Sequence, residues 1–308
     1  MTFLLPSADG VADEVAKRLP QATILRYEDS VPGGPAGLGD VEFYCLPYMG
    51  DGASVALIAQ LPRLRVVQSL SSGVDNVLGS VPGPVTLCNG SGLHHEEGTA
   101  ELAVTLILAS LRRIPTFALD QSRRSWHHLR TDSLEGKTAL LVGHGGIGQG
   151  IERRLLPFGA QVLRVSRTAR EGVAPLPELP RLAAQADILV ACIALAPETQ
   201  GVISAEVLAA LPDGALVVNV GRGPLVDAAA LASQLASGRL QAALDVTDIE
   251  PLPVGRPEWA MPNVLITPHI GGDTFAFARR APGFVADQAE RHLAGRPLAN
   301  IVKPAQES

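Results

Sequence analysis

The segment that most restricts this chain lies near its middle, where Thr138-Ala-Leu-Leu-Val142 runs straight into Gly143-His144-Gly145-Gly146-Ile147-Gly148. An apolar, β-branched run ending in G-x-G-x-x-G predicts a strand, a tight turn and the opening of a helix. Gly143 permits the turn, Gly145 lets the backbone approach a diphosphate, and Gly148 allows the helix to pack close to the strand. Gly146 and Ile147 then present N–H groups of the helix N-terminus to anionic oxygens. Glycine triplets also occur in plain turns. Here strand, loop, helix and second strand follow in order, which points to a dinucleotide site.

That context extends along all 308 residues, as short apolar runs alternating with helical patterns, the signature of βαβ units and parallel sheets. Early strands are predicted at Thr2–Leu5, Ala22–Arg26, Val41–Leu46, Arg65–Ser69 and Val85–Cys88, with helices at Ala12–Leu19 and Gly52–Leu61. A second series has six strands, Thr138–Val142, Gln161–Val165, Ile188–Ala191, Leu216–Val220, Ala242–Val246 and Val264–Thr267, and implies a doubly wound sheet. Between the two series, Thr99–Arg113 predicts a helix capped by Thr99 that ends on Arg112 and Arg113. It is apolar on too many sides for a surface helix, so burial between domains or subunits is expected. Asp273–Leu293 predicts a helix with a kink or restart at Pro282, and Gly295–Val302 must then pack onto something.

Composition removes several classes. Hydrophobic residues at 46% and charged ones at 18% mark a globular chain. A net charge of −6 offers no general attraction to nucleic acid. No apolar run is long enough for a bilayer, and the opening MTFLLPSADG lacks the basic flank of a signal peptide, so no membrane partner is expected. Cys45, Cys88 and Cys192 are too dispersed for a disulfide scaffold or a zinc site, which fits a reduced, cytoplasmic setting. His94-His95-Glu96-Glu97 lacks the H-E-x-x-H spacing, and four adjacent residues cannot all face one ion, so no metal is expected.

After the second strand of a dinucleotide fold, an acid usually binds the ribose hydroxyls of NAD. This chain has Ser166-Arg167-Thr168-Ala169-Arg170 there, with no acid before Glu171. Cationic and hydroxyl side chains suit a 2′-phosphate, so NADP is expected over NAD. Polar residues also follow three later strands. Arg222 stands in Gly221-Arg222-Gly223, Glu250 follows Ala242–Val246, and His269 follows Val264–Thr267. Strands of one parallel sheet release such loops at the same edge. There Arg222 can grip a carboxylate and polarise a keto oxygen, His269 can exchange a proton with that oxygen, and Glu250 can orient the imidazole and favour its protonated form. Each alone also reads as a loop ion pair or a turn residue.

These segments resemble the D-isomer-specific 2-hydroxyacid dehydrogenases, most clearly in LEGKTALLVGHGGIG (134–148), ADILVACIALAPETQGVI (186–203), VVNVGRGPLVD (217–227), ALDVTDIEPLP (243–253) and VLITPHIGG (264–272). The resemblance implies an α/β fold of two lobes: a Rossmann-type dinucleotide-binding domain over 98–274 and a smaller flavodoxin-like substrate domain over 1–97 plus 275–308. It implies Arg222, Glu250 and His269 as the catalytic set, and Ser72 and Gly73 as backbone donors to the substrate carboxylate beside Arg222 and His269. Cofactor contacts would come from Gly143, Gly145, Gly146, Ile147, Gly148, Ser166, Arg167, Thr168, Cys192, Thr199, Val220 and Asp245, the last holding the nicotinamide amide. The 99–113 helix corresponds to a homodimer element. The implied reaction is reduction of a small 2-keto acid, such as glyoxylate or hydroxypyruvate. A dinucleotide-sensing binding protein of the corepressor type is the alternative on the same fold, and a methyltransferase with a similar glycine loop leaves the three strand ends without a purpose.

Overall fold

A computed structural model describes residues 1–27, 36–50, 52–93 and 95–306. The chain divides into two compact units, Met1–His95 with Asp273–Ser308, and Glu96–Gly272.

The first unit carries β1 (Thr2–Pro6), α1 (Val11–Arg18), β2 (Thr23–Tyr27), β3 (Val41–Cys45), α2 (Gly52–Ala56), β4 (Val66–Gln68), α3 (Asp75–Leu78) and β5 (Thr86–Cys88). Next come α4 (His95–Leu111) and α5 (Ile114–Ser122). The second unit then runs through β6 (Thr138–Val142), α6 (Gly146–Leu155), β7 (Gln161–Ser166), β8 (Ala174–Pro175), α7 (Leu179–Ala183) and β9 (Ile188–Ala191). It continues with α8 (Ala205–Ala210), β10 (Leu216–Asn219), α9 (Ala228–Ala236), β11 (Gln241–Leu244) and β12 (Val264–Ile266). The chain closes with α10 (Phe275–Leu293) and β13 (Ile301–Lys303) in the first unit.

In the second unit the strand order is β12-β11-β10-β9-β6-β7-β8, and every pairing is parallel. Alternate side chains serve opposite faces. Ala139, Leu141, Ile188 and Val190 pack under α4 and α6, while Leu140, Val142, Leu189 and Ala191 pack under α7, α8 and α9. The order reverses direction between β6 and β9, the place where open sheets of this kind bind ligands. The first unit has the order β13-β5-β4-β3-β1-β2, flavodoxin-like in β2 to β5, with β13 added antiparallel.

Three elements differ most from expectation. The second sheet has seven strands instead of six, because the two-residue β8 is too short to show an apolar pattern. Helix α4 begins at His95, so Thr99 is an interior residue and not the cap; Glu96 and Glu97 occupy the first turn, where the helix dipole favours acids. The same helix stops at Leu111, and Arg113 takes a left-handed φ of 54° before α5 restarts. Helix α10 continues through Pro282 without a restart. Phe277 and Ala281 on one side of the proline, and Val285, Ala286 and Ala289 on the other, are buried on the sheet, which offsets the lost backbone bond of about 3 kcal/mol. The tail predicted to pack onto something does so as β13, along the edge of β5.

Candidate active site

Strand β10 ends on Asn219, a buried amide in an otherwise apolar strand. Its Oδ1 accepts the Gly221 N–H at 3.1 Å and its Nδ2 donates to the Arg222 carbonyl at 3.0 Å, which fixes the turn. A Cβ on Gly221 would sit 2.6 Å from the Leu225 side chain, and one on Gly223 would overlap the Thr247 carbonyl oxygen at 1.8 Å. Within Gly221-Arg222-Gly223, therefore, only the middle position can carry a side chain. Arg222 is half-buried, with Nη1 donating to the Gly221 carbonyl at 2.8 Å.

Past β11 stands Asp245, also buried. Its Oδ1 accepts the Thr267 hydroxyl at 2.7 Å and the Ile270 N–H at 2.9 Å, and its Oδ2 accepts the Gly271 N–H at 2.9 Å. This one carboxylate thus clamps the loop after β12. The clamp has work to do, because His269 in that loop holds a left-handed φ of 54°, unfavourable by about 1–2 kcal/mol for a residue with a side chain. The His269 N–H donates to the Asp245 carbonyl at 2.9 Å. Its ring Nδ1 lies 2.7 Å from Glu250 Oε2, and Glu250 Oε1 accepts the Thr247 N–H at 3.0 Å. Partial burial pushes the Glu250 carboxyl up. The bonds from His269 and Thr247, with the charges of His269 and Arg222, outweigh that and hold it below its ordinary 4.5. An ionised Glu250 accepts a hydrogen bond from Nδ1–H, leaving Nε2 as the nitrogen that can exchange a proton. The structure accordingly brings Arg222, Glu250 and His269 together at one sheet edge.

The glycine loop leaves the same edge, after β6. Gly143 has φ +111°, and a Cβ there would lie 2.5 Å from the Ile193 amide; one on Gly148 would lie 2.2 Å from the Gly143 carbonyl oxygen. A Cβ on Gly145 would meet nothing within 4 Å. Two glycines are thus closed in by backbone and the third faces open space, while α6 starts at Gly146 with no side-chain cap. Its first-turn N–H groups, from Gly146 to Gly148, suit the oxygens of a diphosphate. Ile147 packs beneath, against the α4 face of the sheet.

Other predicted cofactor residues take supporting places. Cys192 is buried; its thiol donates to the Gly143 carbonyl at 3.1 Å and is pushed up to about 12 by burial, so it props the turn. Thr199 is enclosed by its own loop. It is fully buried, its hydroxyl spent on the Ala194 carbonyl at 2.8 Å and the Ala196 N–H at 2.8 Å, and it shapes the loop after β9. Val220 is buried, its N–H bonded to the Ala191 carbonyl at 3.1 Å. The Ser166 hydroxyl donates to the Thr168 carbonyl at 2.6 Å, in a short turn that leaves Arg167 and Thr168 exposed, and Arg167 pairs with Glu198 at 2.9 Å.

In the first unit, Ser72 and Gly73 lie in the loop between β4 and α3. The Asn89 amide donates to the Ser72 carbonyl at 2.9 Å, and the Ser72 hydroxyl oxygen is buried with no hydrogen-bond partner among the described residues. His94 lies outside the described residues. His95 Nε2 lies 2.6 Å from the Leu70 carbonyl oxygen, and Glu97 pairs with Arg153 and Arg154, both at 2.7 Å. Among the described residues no three His, Cys, Asp or Glu side chains are grouped to hold a metal.

Sequence reasoning missed Asn219 and the clamping role of Asp245. A lone amide closing the apolar run Leu-Val-Val-Asn was the available signal for the first. The second depends on a contact between residues 25 apart and left no local trace.

A model of the D-isomer-specific 2-hydroxyacid dehydrogenase NAD-binding domain matches residues 104–271. A glyoxylate reductase/hydroxypyruvate reductase of Mus musculus is 36% identical over 265 residues, covering 78% of this chain and 77% of that protein. A D-isomer-specific 2-hydroxyacid dehydrogenase of Xanthobacter autotrophicus Py2, solved with NADPH and MES, aligns with TM-score 0.78 and 31% identity over 98% of each chain. An NADPH-dependent glyoxylate/hydroxypyruvate reductase of Sinorhizobium meliloti, solved with NADP and malonate, aligns with TM-score 0.81 and 27% identity over 100% of this chain and 99% of that one.

Proposed function

The chain belongs to the D-isomer-specific 2-hydroxyacid dehydrogenases, and from that premise we propose that it reduces a small 2-keto acid of the glyoxylate or hydroxypyruvate kind, with NADPH as the preferred hydride source. The observation that carries this reading is the 2.7 Å pair of His269 and Glu250 beside Arg222, on the sheet edge that also bears the glycine loop. The nicotinamide, when bound, supplies the hydride. Arg222 pairs with the substrate carboxylate and draws electron density toward the keto oxygen. As the carbon becomes tetrahedral, His269 Nε2 gives its proton to that oxygen, and Glu250 stabilises the imidazolium beforehand. Solvent then restores the proton. In the first unit, the Ser72–Gly73 loop carries a buried Ser72 hydroxyl with no partner among the described residues, a donor in need of an acceptor.

Preference for NADP rests on Ser166, Arg167, Thr168 and Arg170, where a carboxylate would repel a 2′-phosphate. The proposed homodimer uses the 99–113 helix, and exposed Ile114 and Leu119, on α5 just past it, extend an apolar surface from its end. The dinucleotide-sensing alternative finds no support in the three relatives described above, each named as an enzyme. A panel of 2-keto acids assayed with NADPH and NADH tests the proposal. Turnover of two- or three-carbon keto acids, faster at low coenzyme with NADPH, is the expected result. Tight NADPH binding without oxidation by any keto acid overturns it.

A further inference from the structure

The side chain of His144, the first variable residue of the glycine loop, sits in a chain of contacts that its position does not require. Arg164 Nε on β7 donates to Glu152 Oε1 at 2.9 Å; Glu152 Oε2 on α6 lies 2.6 Å from His144 Nε2; and His144 Nδ1 lies 2.9 Å from Arg170 Nη2. Arg164, against partial burial and with help from His144, brings the Glu152 carboxyl down to about 2. An ionised Glu152 is acceptor-only, so Nε2 carries the ring proton and Nδ1 presents a lone pair to Arg170. His144 and Glu152 side chains are only 13% and 14% accessible, so this is an ordered network and not a loose surface pair.

The two candidate arginines differ in what holds them. Arg167 is ion-paired with Glu198 at 2.9 Å. Arg170 contacts neutral acceptors: the His144 carbonyl at 2.5 Å, the His144 ring, and Ser166 Oγ at 3.4 Å. Among the described residues no carboxylate pairs with it, and its backbone is pinned by bonds to and from Val173 at 3.2 and 2.9 Å. The geometry points to His144 as a positioning residue that aims the Arg170 guanidinium, across the junction of the glycine loop and β7, at a 2′-phosphate, making Arg170 and not Arg167 the main discriminator of NADP from NAD. The inference rests on the NADP reading above.

Calorimetric titration of the full chain with NADP⁺ and NAD⁺, with melting curves to verify folding, tests it without turnover. Arg170→Gln is expected to weaken NADP⁺ by roughly tenfold or more and leave NAD⁺ within about twofold. His144→Phe, which keeps a ring but no acceptor, is expected to weaken NADP⁺ by roughly five- to tenfold with NAD⁺ unchanged. His144→Asn, whose Oδ1 can take the place of Nδ1, is expected to restore most of that loss. Equal weakening of both cofactors by His144→Phe, or none, overturns the positioning role. A selective loss in Arg167→Gln with none in Arg170→Gln overturns the assignment. If neither arginine variant alters the NADP⁺ to NAD⁺ ratio, the NADP reading itself fails.

Discussion

A histidine serves hydride chemistry only when one ring nitrogen is committed and the other is presented to the reacting oxygen. Glu250 commits Nδ1 of His269, so replacing the imidazole with an amide removes the acid and keeps most of the shape. His269→Gln is expected to lower kcat by about 10²–10⁴-fold with the NADPH dissociation constant unchanged. Stopped-flow turnover beside fluorescence titration checks both. The neighbouring Gly223 allows no such subtlety. A single methyl there meets the Thr247 carbonyl oxygen at 1.8 Å, so Gly223→Ala must shift the turn bearing Arg222. Both kcat and KM for the keto acid should worsen while circular dichroism stays native. These three polar positions were legible in the sequence because each follows a buried strand. The reasons for the flanking glycines were not, since Thr247 lies far along the chain from Gly223.

At the level of elements, the sequence was clearest where strands are buried on both faces and weakest at sheet margins. Runs such as Leu140-Leu141-Val142 and Leu216-Val217-Val218 are fully covered, and their apolarity announces them. Ala174–Pro175 and Ile301–Lys303 are too short and too exposed to do so, and pairing with a neighbour defines them. The start of α4 was misplaced because Thr99 is a good cap by type; its helix instead continues back through the acidic turn Glu96–Glu97. Close approach of α4 and α6 was also invisible. A Cβ on Gly150 would stand 2.8 Å from the Ala100 methyl, so Gly150→Leu forces the two helices apart. A loss of about 1–3 kcal/mol in urea unfolding is expected. In the β12 loop, Asp245→Asn turns one of three accepted bonds into a donor-on-donor contact. That is expected to cost about 1.5–3 kcal/mol of stability and to depress kcat more than NADPH binding, as unfolding and steady-state assays would register.

Across the whole molecule, acid should act through the carboxylates that arginines hold down. Glu152 falls from an ordinary 4.5 to about 2 in the folded chain, mainly through Arg164. The unfolded chain therefore binds a proton first as pH drops, so this contribution is complete above about 4.5 and disappears as pH falls toward 2. Melting temperatures of the protein and of Glu152→Gln should differ at neutral pH and converge near pH 2 to 3. A different vulnerability lies in the first unit. Its β5 would be the outermost strand were it not for β13, which lies antiparallel against it and is fastened by Gln288, whose amide bonds to Gln68 at 2.7 Å and to the Ala299 carbonyl at 2.9 Å. Stripped of that cover, β5 would offer a row of unanswered peptide groups to any passing molecule of its kind. Ending the chain at Leu293 should accordingly yield a protein that grows into assemblies on standing, visible as rising light scatter. The short terminal segment thus keeps one copy from becoming a template for the next.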